Sequence, residues 1–80
     1  MYVELIYDKR NMTRIPNANA LILAELTKRV HGSFPGTEVR VKPMQANAIN
    51  TDASKAQKAI IASLVEEMFD DASGWLSNGE

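Results

Sequence analysis

Acidic side chains are the groups in this 80-residue chain that could most plainly carry out chemistry or bind a ligand, and they are concentrated near its end. Residues 59–80 contain no Lys or Arg, and their carboxylates are Glu66, Glu67, Asp70, Asp71 and Glu80. Paired carboxylates can act as general acid and base in glycoside hydrolysis, but such a pair is buried across a cleft, for which this chain has little room. They can also bind Ca²⁺, but the sequence contains no EF-hand loop. We therefore expect no enzymatic activity, no cofactor and no metal site.

Other catalytic arrangements find no support in the sequence. His31 is the only histidine and has no serine–acid constellation around it, so it is expected to lie at the end of a helix, where the dipole favours it. No glycine-rich phosphate-binding motif and no metal-ligand spacing is present. The absence of cysteine excludes disulfides and thiolate chemistry and is compatible with a reducing compartment.

The net charge of −1 conceals a strong asymmetry along the chain. Residues 1–58 carry nine basic and five acidic side chains, whereas residues 59–80 carry five acidic ones and no basic one. A nucleic-acid-binding face would require the bases to be contiguous, and the acidic end opposes phosphate binding. We expect scattered, solvated bases and no direct nucleic-acid binding. The bases considered are Lys9, Arg10, Arg14, Lys28, Arg29, Arg40 and Lys42.

Alternation and turn residues predict the elements of the first half. Tyr2–Tyr7 alternates as a strand, and Asp8–Pro16 reads as a polar loop. Asn17 or Asn19 is expected to cap a helix that runs to about His31 and stops at Gly32. The inward strand residues are Val3, Leu5 and Tyr7, and the helix stripe is Ile22, Leu26 and Val30, with Leu23 beside it.

The middle of the chain predicts a turn and one or two strands. Phe34 is expected to enter the core while Pro35-Gly36 reverses the chain. Residues 38–42 alternate as a strand that Pro43 ends or places at an edge. Residues 44–50 are either a short third strand around 46–49 or a loop.

The last helix is predicted to start at a Ser54–Gln57 capping box and to run to Trp75 or Leu76. Its charges oppose the helix dipole, and its acids form like-charged i,i+4 pairs. We interpret this acidic face as a surface kept for a partner; the alternative is a solvated face that maintains solubility. Phe69 lies at the edge of the apolar face, where it either packs against the core or contacts a partner. Trp75 is expected to pack in the core. The apolar face comprises Ile60, Ile61, Leu64, Val65, Met68, Ala72 and Trp75.

The element order is strand, helix, strand, possible strand, helix. The helical connection favours parallel pairing of the first two strands in a two-layer α+β domain spanning residues 1–80. Glu4 and Asp8 interrupt what would be a signal peptide, and the longest apolar run, 20–24, is too short to cross a membrane. We expect a cytoplasmic monomer without membrane association.

Five short segments follow one another along nearly the whole chain. They are Leu21-x-x-x-Glu25-Leu26-x-x-Arg29-Val30, Phe34-Pro35, Val39-x-Val41, Asn47, and a lysine-led helix that ends in acids and Trp75. Their order and spacing resemble the DinI family, small bacterial, plasmid and phage proteins linked to the DNA-damage response. The resemblance implies a three-stranded sheet with two helices on one face, which agrees with the predicted elements.

The resemblance also implies a partner. It implies binding to the RecA filament through the acidic last helix, which in part imitates the DNA backbone and tunes filament stability and RecA coprotease action. The matching residues are Glu66, Glu67, Asp70 and Asp71, with Phe69 as the neighbouring aromatic. This chain departs from the family pattern at Ser73-Gly74, where DinI carries acids before the tryptophan. Some close relatives are labelled virulence-associated, so a different partner is the alternative.

Overall fold

Three strands and three α-helices make up the described part of the computed structural model, which covers residues 1–12, 15 and 17–76, and of residues 11 and 12 the backbone alone. Arg14 and Pro16, in the segment predicted as a loop, lie outside the described residues, and so does Glu80. A short 3-10 helix, Lys9–Met12, follows the first strand in the segment predicted as loop. The elements are β1 (Tyr2–Asp8), α1 (Ala18–Ser33), β2 (Glu38–Met44), β3 (Ala48–Thr51), α2 (Lys55–Asp70) and α3 (Ala72–Trp75).

The sheet has the order β2-β1-β3 and is mixed. β1 pairs with β2 in parallel, with Val3 opposite Val39, and with β3 antiparallel, with Leu5 opposite Ile49. The predicted parallel pair is therefore confirmed, the ambiguous segment 44–50 contributes a true third strand, and Pro43 lies within an edge strand. The predicted α+β class with a mixed three-stranded sheet is confirmed.

One core lies between the sheet and the two long helices. The inward residues of β1 are almost fully buried and pack with the predicted α1 stripe and with the buried face of α2. Because both helices share this core with the same face of β1, they lie on one side of the sheet. Leu23 and Ile60 are exposed, so the faces of α1 and α2 that are actually buried are narrower than the predicted apolar faces. The core residues are Val3, Leu5, Tyr7, Ile22, Leu26, Val30, Ile61, Val65 and Met68.

Of the two predicted ends of α1, the N-cap position is confirmed at Asn17, whereas the predicted stop at Gly32 is wrong. Asn17 occupies the N-cap position in a left-handed conformation (φ 60°), but its side chain makes no capping bond. Asn19 lies inside the helix and donates to the Tyr7 hydroxyl over 3.4 Å. At the other end the helix continues through Gly32 to Ser33. The positive φ that glycine permits is used at Gly36 (83°), where the turn after α1 reverses the chain.

The predicted single last helix is in fact two. The Ser54–Gln57 capping box forms as expected, with both reciprocal hydrogen bonds present. The helix then ends at Asp70. Its C-cap residue Asp71 has a ψ of 17°, which departs from helical geometry, and a single further turn, α3, follows. The interruption allows the Trp75 indole N–H to fold back and donate to the Met68 carbonyl over 2.7 Å.

An ion pair between Asp8 and Arg10 helps to connect the end of β1 to the segment before β3. The Asp8 carboxylate accepts hydrogen bonds from the backbone and the guanidinium of Arg10, the shortest at 2.7 Å. Arg10 also donates to the Gln45 carbonyl, and the Asp8 backbone N–H donates to the Asn47 side chain. The hydrogen bonds from Arg10 lower the pKa of Asp8 from 3.8 to about 2.

This pair predicts a defined acid dependence of stability. Because the folded pKa of Asp8 is depressed, its contribution is present above about 3.8 and is lost as the pH falls towards about 2. Asp8→Asn is therefore expected to be less stable than the parent at pH 6, with the difference shrinking across that window. Urea unfolding at a series of pH values measures it. Arg10→Gln should reproduce the effect, and a difference that stays constant with pH would contradict the assignment.

Candidate partner-binding surface

The four predicted carboxylates lie around the exposed C-terminal end of α2. Glu66, Glu67, Asp70 and Asp71 are all exposed, whereas Ile61, Val65 and Met68 on the opposite side of the helix are buried. At about 100° per residue, the four acids fan over roughly 140° of the helix circumference. The last turn of α2 contains no basic residue, so the acids and the negative end of the helix dipole coincide.

Asp71 differs from the other three acids because it is tied to α1. The Arg29 guanidinium bonds to Glu25 at 2.7 Å and reaches the Asp71 carboxylate at 3.4 Å. The hydrogen bond with Glu25 raises the pKa of Arg29, and Asp71 adds a smaller effect in the same direction. The Glu25–Arg29 pair was predicted from i,i+4 spacing, but its extension to Asp71 was not.

Glu66, Glu67 and Asp70 form the outward part of this surface, which we call the acidic row. None of the three has an ion-pair partner among the residues that the structure describes. Their charges therefore remain available to a cationic partner, while Asp71 borders the row and pairs with Arg29.

Phe69 and Trp75 pack beneath the acidic end. Both are partly buried against the core, and their rings meet at a centroid distance of 6.1 Å with an interplanar angle of 53°. Such a tilted contact is a favourable arrangement of two aromatic quadrupoles. The sequence left open whether Phe69 packs or is exposed, and the structure shows that it does both in part.

The departure at Ser73-Gly74 falls in the short helix α3, beyond the break. A side chain at position 74 would start with its Cβ about 3.5 Å from an Asp71 carboxylate oxygen. An acid there would place a second charge close to Asp71. Glycine carries no charge there, so Asp71 faces Arg29 without this repulsion.

Several other polar residues of the described ranges form ion pairs or hydrogen bonds. Arg10 and Arg40 pair with Asp8 and Glu38, and Arg40 also lies over the Tyr2 ring at 5.1 Å. The His31 Nε2 contacts the Thr37 carbonyl at 2.7 Å. Within residues 1–12, 15 and 17–76, no group of His, Asp and Glu is arranged to hold a metal, and no helix has the length and apolarity needed to cross a bilayer.

These features define a class: a small α+β domain with two helices on one face of a mixed sheet and an acidic helix end exposed to solvent. A model of the DinI-like family matches residues 16–76, and the chain belongs to that family. It is also 55% identical over 76 residues to the virulence proteins MsgA of Salmonella typhimurium strain LT2 and of Salmonella typhi. Each match covers 95% of this chain and 96% of the relative.

Proposed function

We propose that this protein modulates RecA nucleoprotein filaments in the bacterial DNA-damage (SOS) response and binds RecA in the cytoplasm through the acidic end of α2. Membership of the DinI-like family supports the proposal. The observation that carries it is the concentration of exposed carboxylates at one helix end, most of them without an ion-pair partner among the described residues.

The charge density of this surface is comparable to that of DNA. Residues 66 to 71 span five helical steps, or about 7.5 Å along the axis at about 1.5 Å per residue. Four carboxylates over that length have a mean axial spacing of about 2.5 Å, which lies between the about 1.7 Å per phosphate of duplex DNA with both strands counted and the about 3.4 Å of a single strand. A surface shaped to receive phosphates therefore meets a similar charge density here.

The same arrangement is unfavourable for the isolated domain. Like charges at i,i+4, as in Glu66 with Asp70 and Glu67 with Asp71, cost a few tenths of a kcal/mol per pair. The negative end of the α2 dipole adds to this repulsion. Lys and Arg side chains of a DNA-binding partner would remove the penalty on contact, which favours association and speeds encounter at low salt.

Neutralising the acidic row tests the mechanism. The variant Glu66→Gln/Glu67→Gln/Asp70→Asn keeps Asp71, so the contact with Arg29 is preserved. Its affinity for RecA–single-stranded DNA filaments is expected to fall by at least about tenfold, because three charge contacts are lost. Binding of the parent protein should itself weaken steeply as salt is raised.

The matched control removes acids from another surface. Glu4→Gln/Glu38→Gln changes two carboxylates of β1 and β2 on the sheet face opposite the helices, and filament affinity should remain within about twofold. Filament disassembly, followed with and without the protein, provides a functional readout that the triple variant should no longer affect. Equal binding by the parent and the triple variant would show that the acidic row is not the contact surface.

A second candidate follows from the names of the relatives, which are virulence proteins. In this case the same acidic surface serves a different protein partner. Failure of the parent chain to bind RecA filaments at low salt, together with recovery of another protein by the parent and not by the triple variant, would favour this function.

A further inference from the structure

An apolar groove separates α2 from the edge strand β3. Its volume is about 520 Å³, and its surface is mainly apolar. Leu5 and Tyr7 of β1 form the floor, Ile49 lines the strand side, and Val65 and Phe69 line the helix side. The acidic row does not line this groove, and Phe69 is the one residue of the candidate partner-binding surface described above that does.

The strand beside the groove has an unused edge. β3 is the last strand in the order β2-β1-β3, and no further strand of the described residues pairs with it. In an antiparallel pair, alternate residues direct their backbone N–H and C=O groups away from the partner strand. Such an edge is a ready template for an added strand.

The groove has the length of a short extended peptide. Its lining on α2 runs from Lys58 to Phe69, eleven helical steps, or about 16 Å at about 1.5 Å per residue. An extended chain rises about 3.3 Å per residue, so about five residues span this distance.

One end of the groove carries an unmatched positive charge. The charged residues of the lining are Asp8 and Lys58. Asp8 is neutralised by Arg10 at 2.7 Å, whereas Lys58 has no ion pair among the residues that the structure describes. Lys58 also lies eight helical steps, about 12 Å along the axis, from Glu66. A carboxylate of a bound ligand is therefore favoured at the Lys58 end of the groove. It is disfavoured at the Phe69 end, which lies nearer to the acidic row.

We propose that this groove binds an extended peptide segment of a partner protein that carries one large apolar side chain and an acidic residue near it. The peptide backbone pairs with the free edge of β3. The apolar side chain enters the space between Ile49, Val65 and Phe69, and the acidic residue contacts Lys58. This combination of strand addition and a side-chain pocket is a known mode of peptide recognition.

Selection from a random library of ten-residue peptides, displayed against the purified full chain without RecA, identifies the probe. The selected peptides are expected to have one large apolar residue in common and an Asp or Glu within about three positions of it. Three positions of an extended chain span about 10 Å at about 3.3 Å per residue. Amide chemical shifts of 48–51 should change on binding of the best synthetic peptide. Failure to select any peptide would overturn the proposal, and it would leave the RecA proposal untouched.

Two matched changes then test the contacts. Lys58→Glu is expected to weaken the peptide by about tenfold, whereas Lys55→Glu, the same change one turn earlier on an exposed residue outside the groove, should alter it less than about twofold. N-methylation of one alternate set of peptide amides should abolish binding, because it removes the strand hydrogen bonds. Equal effects of the two lysine changes, or binding that survives both sets of N-methylation, would contradict the proposal.

Discussion

Replacing Ile61 by Ala is expected to lower the free energy of unfolding by about 2–5 kcal/mol, whereas the same change at Ile60 should cost less than about 1 kcal/mol. The two residues are neighbours in α2, but Ile61 is fully buried and Ile60 is 47% exposed. Both changes replace a β-branched residue by Ala and raise helix propensity equally. The difference between them therefore reports how much more packing the buried Ile61 side chain makes than the half-exposed Ile60 side chain.

Urea unfolding followed by circular dichroism measures both losses under identical conditions. An 80-residue domain has a total stability of roughly 4–12 kcal/mol, so the Ile61 change removes a large part of it. Ile61→Val, with an expected cost of about 0.5–1.5 kcal/mol, provides a milder variant that stays folded. Similar losses at the two positions would show that α2 does not pack as described.

The main elements could be predicted because their signals are local. Alternation in β1 and the i,i+4 stripe of α1 reflect one buried face each, and the structure buries those same residues. The Ser54–Gln57 capping box is likewise a contact between residues three apart. Such features depend on the geometry of a single element, which the sequence determines directly.

The predictions were wrong where contacts between elements determine how wide a helix face is buried or where a helix ends. The helical wheel places both Ile60 and Ile61 on the apolar face, but only the packing of neighbouring elements determines how wide a face is covered. Gly32 was predicted to end α1 because glycine commonly does so, yet the Phe34 N–H bonds to the Val30 carbonyl and the reversal occurs at Gly36. A helix continues through glycine at moderate cost when the following turn supplies the stop.

The acidic surface was partly predictable and the groove was not. The exposure of Glu66, Glu67 and Asp70 follows from helical periodicity. The contact between Arg29 and Asp71 joins residues 42 positions apart, and no local pattern indicates it. The groove requires the strand order, because it exists only where β3, rather than β2, lies beside α2. The role of the acidic residues and of Phe69 in partner binding stays a prediction.

Trp75 is expected to control the geometry of the acidic end of α2. The last carbonyls of a helix lack intrahelical partners, and the Trp75 indole N–H satisfies that of Met68. The ring also packs on Phe69 and against the core. Loss of both contacts releases α3 and loosens the turn of α2 that carries Asp70 and the preceding acids.

Trp75→Ala is therefore expected to cost about 2–4 kcal/mol of unfolding free energy, through lost packing and an unsatisfied carbonyl. Trp75→Phe keeps a ring beside Phe69 but loses the donor, so its cost should be about 1 kcal/mol. Urea unfolding measures both, and amide hydrogen exchange should accelerate at 68–71 more than in β1. Equal stabilities of the Phe and Ala variants would assign the effect to the hydrogen bond alone, and unchanged exchange at 68–71 in Trp75→Ala would show that the indole does not hold the helix end.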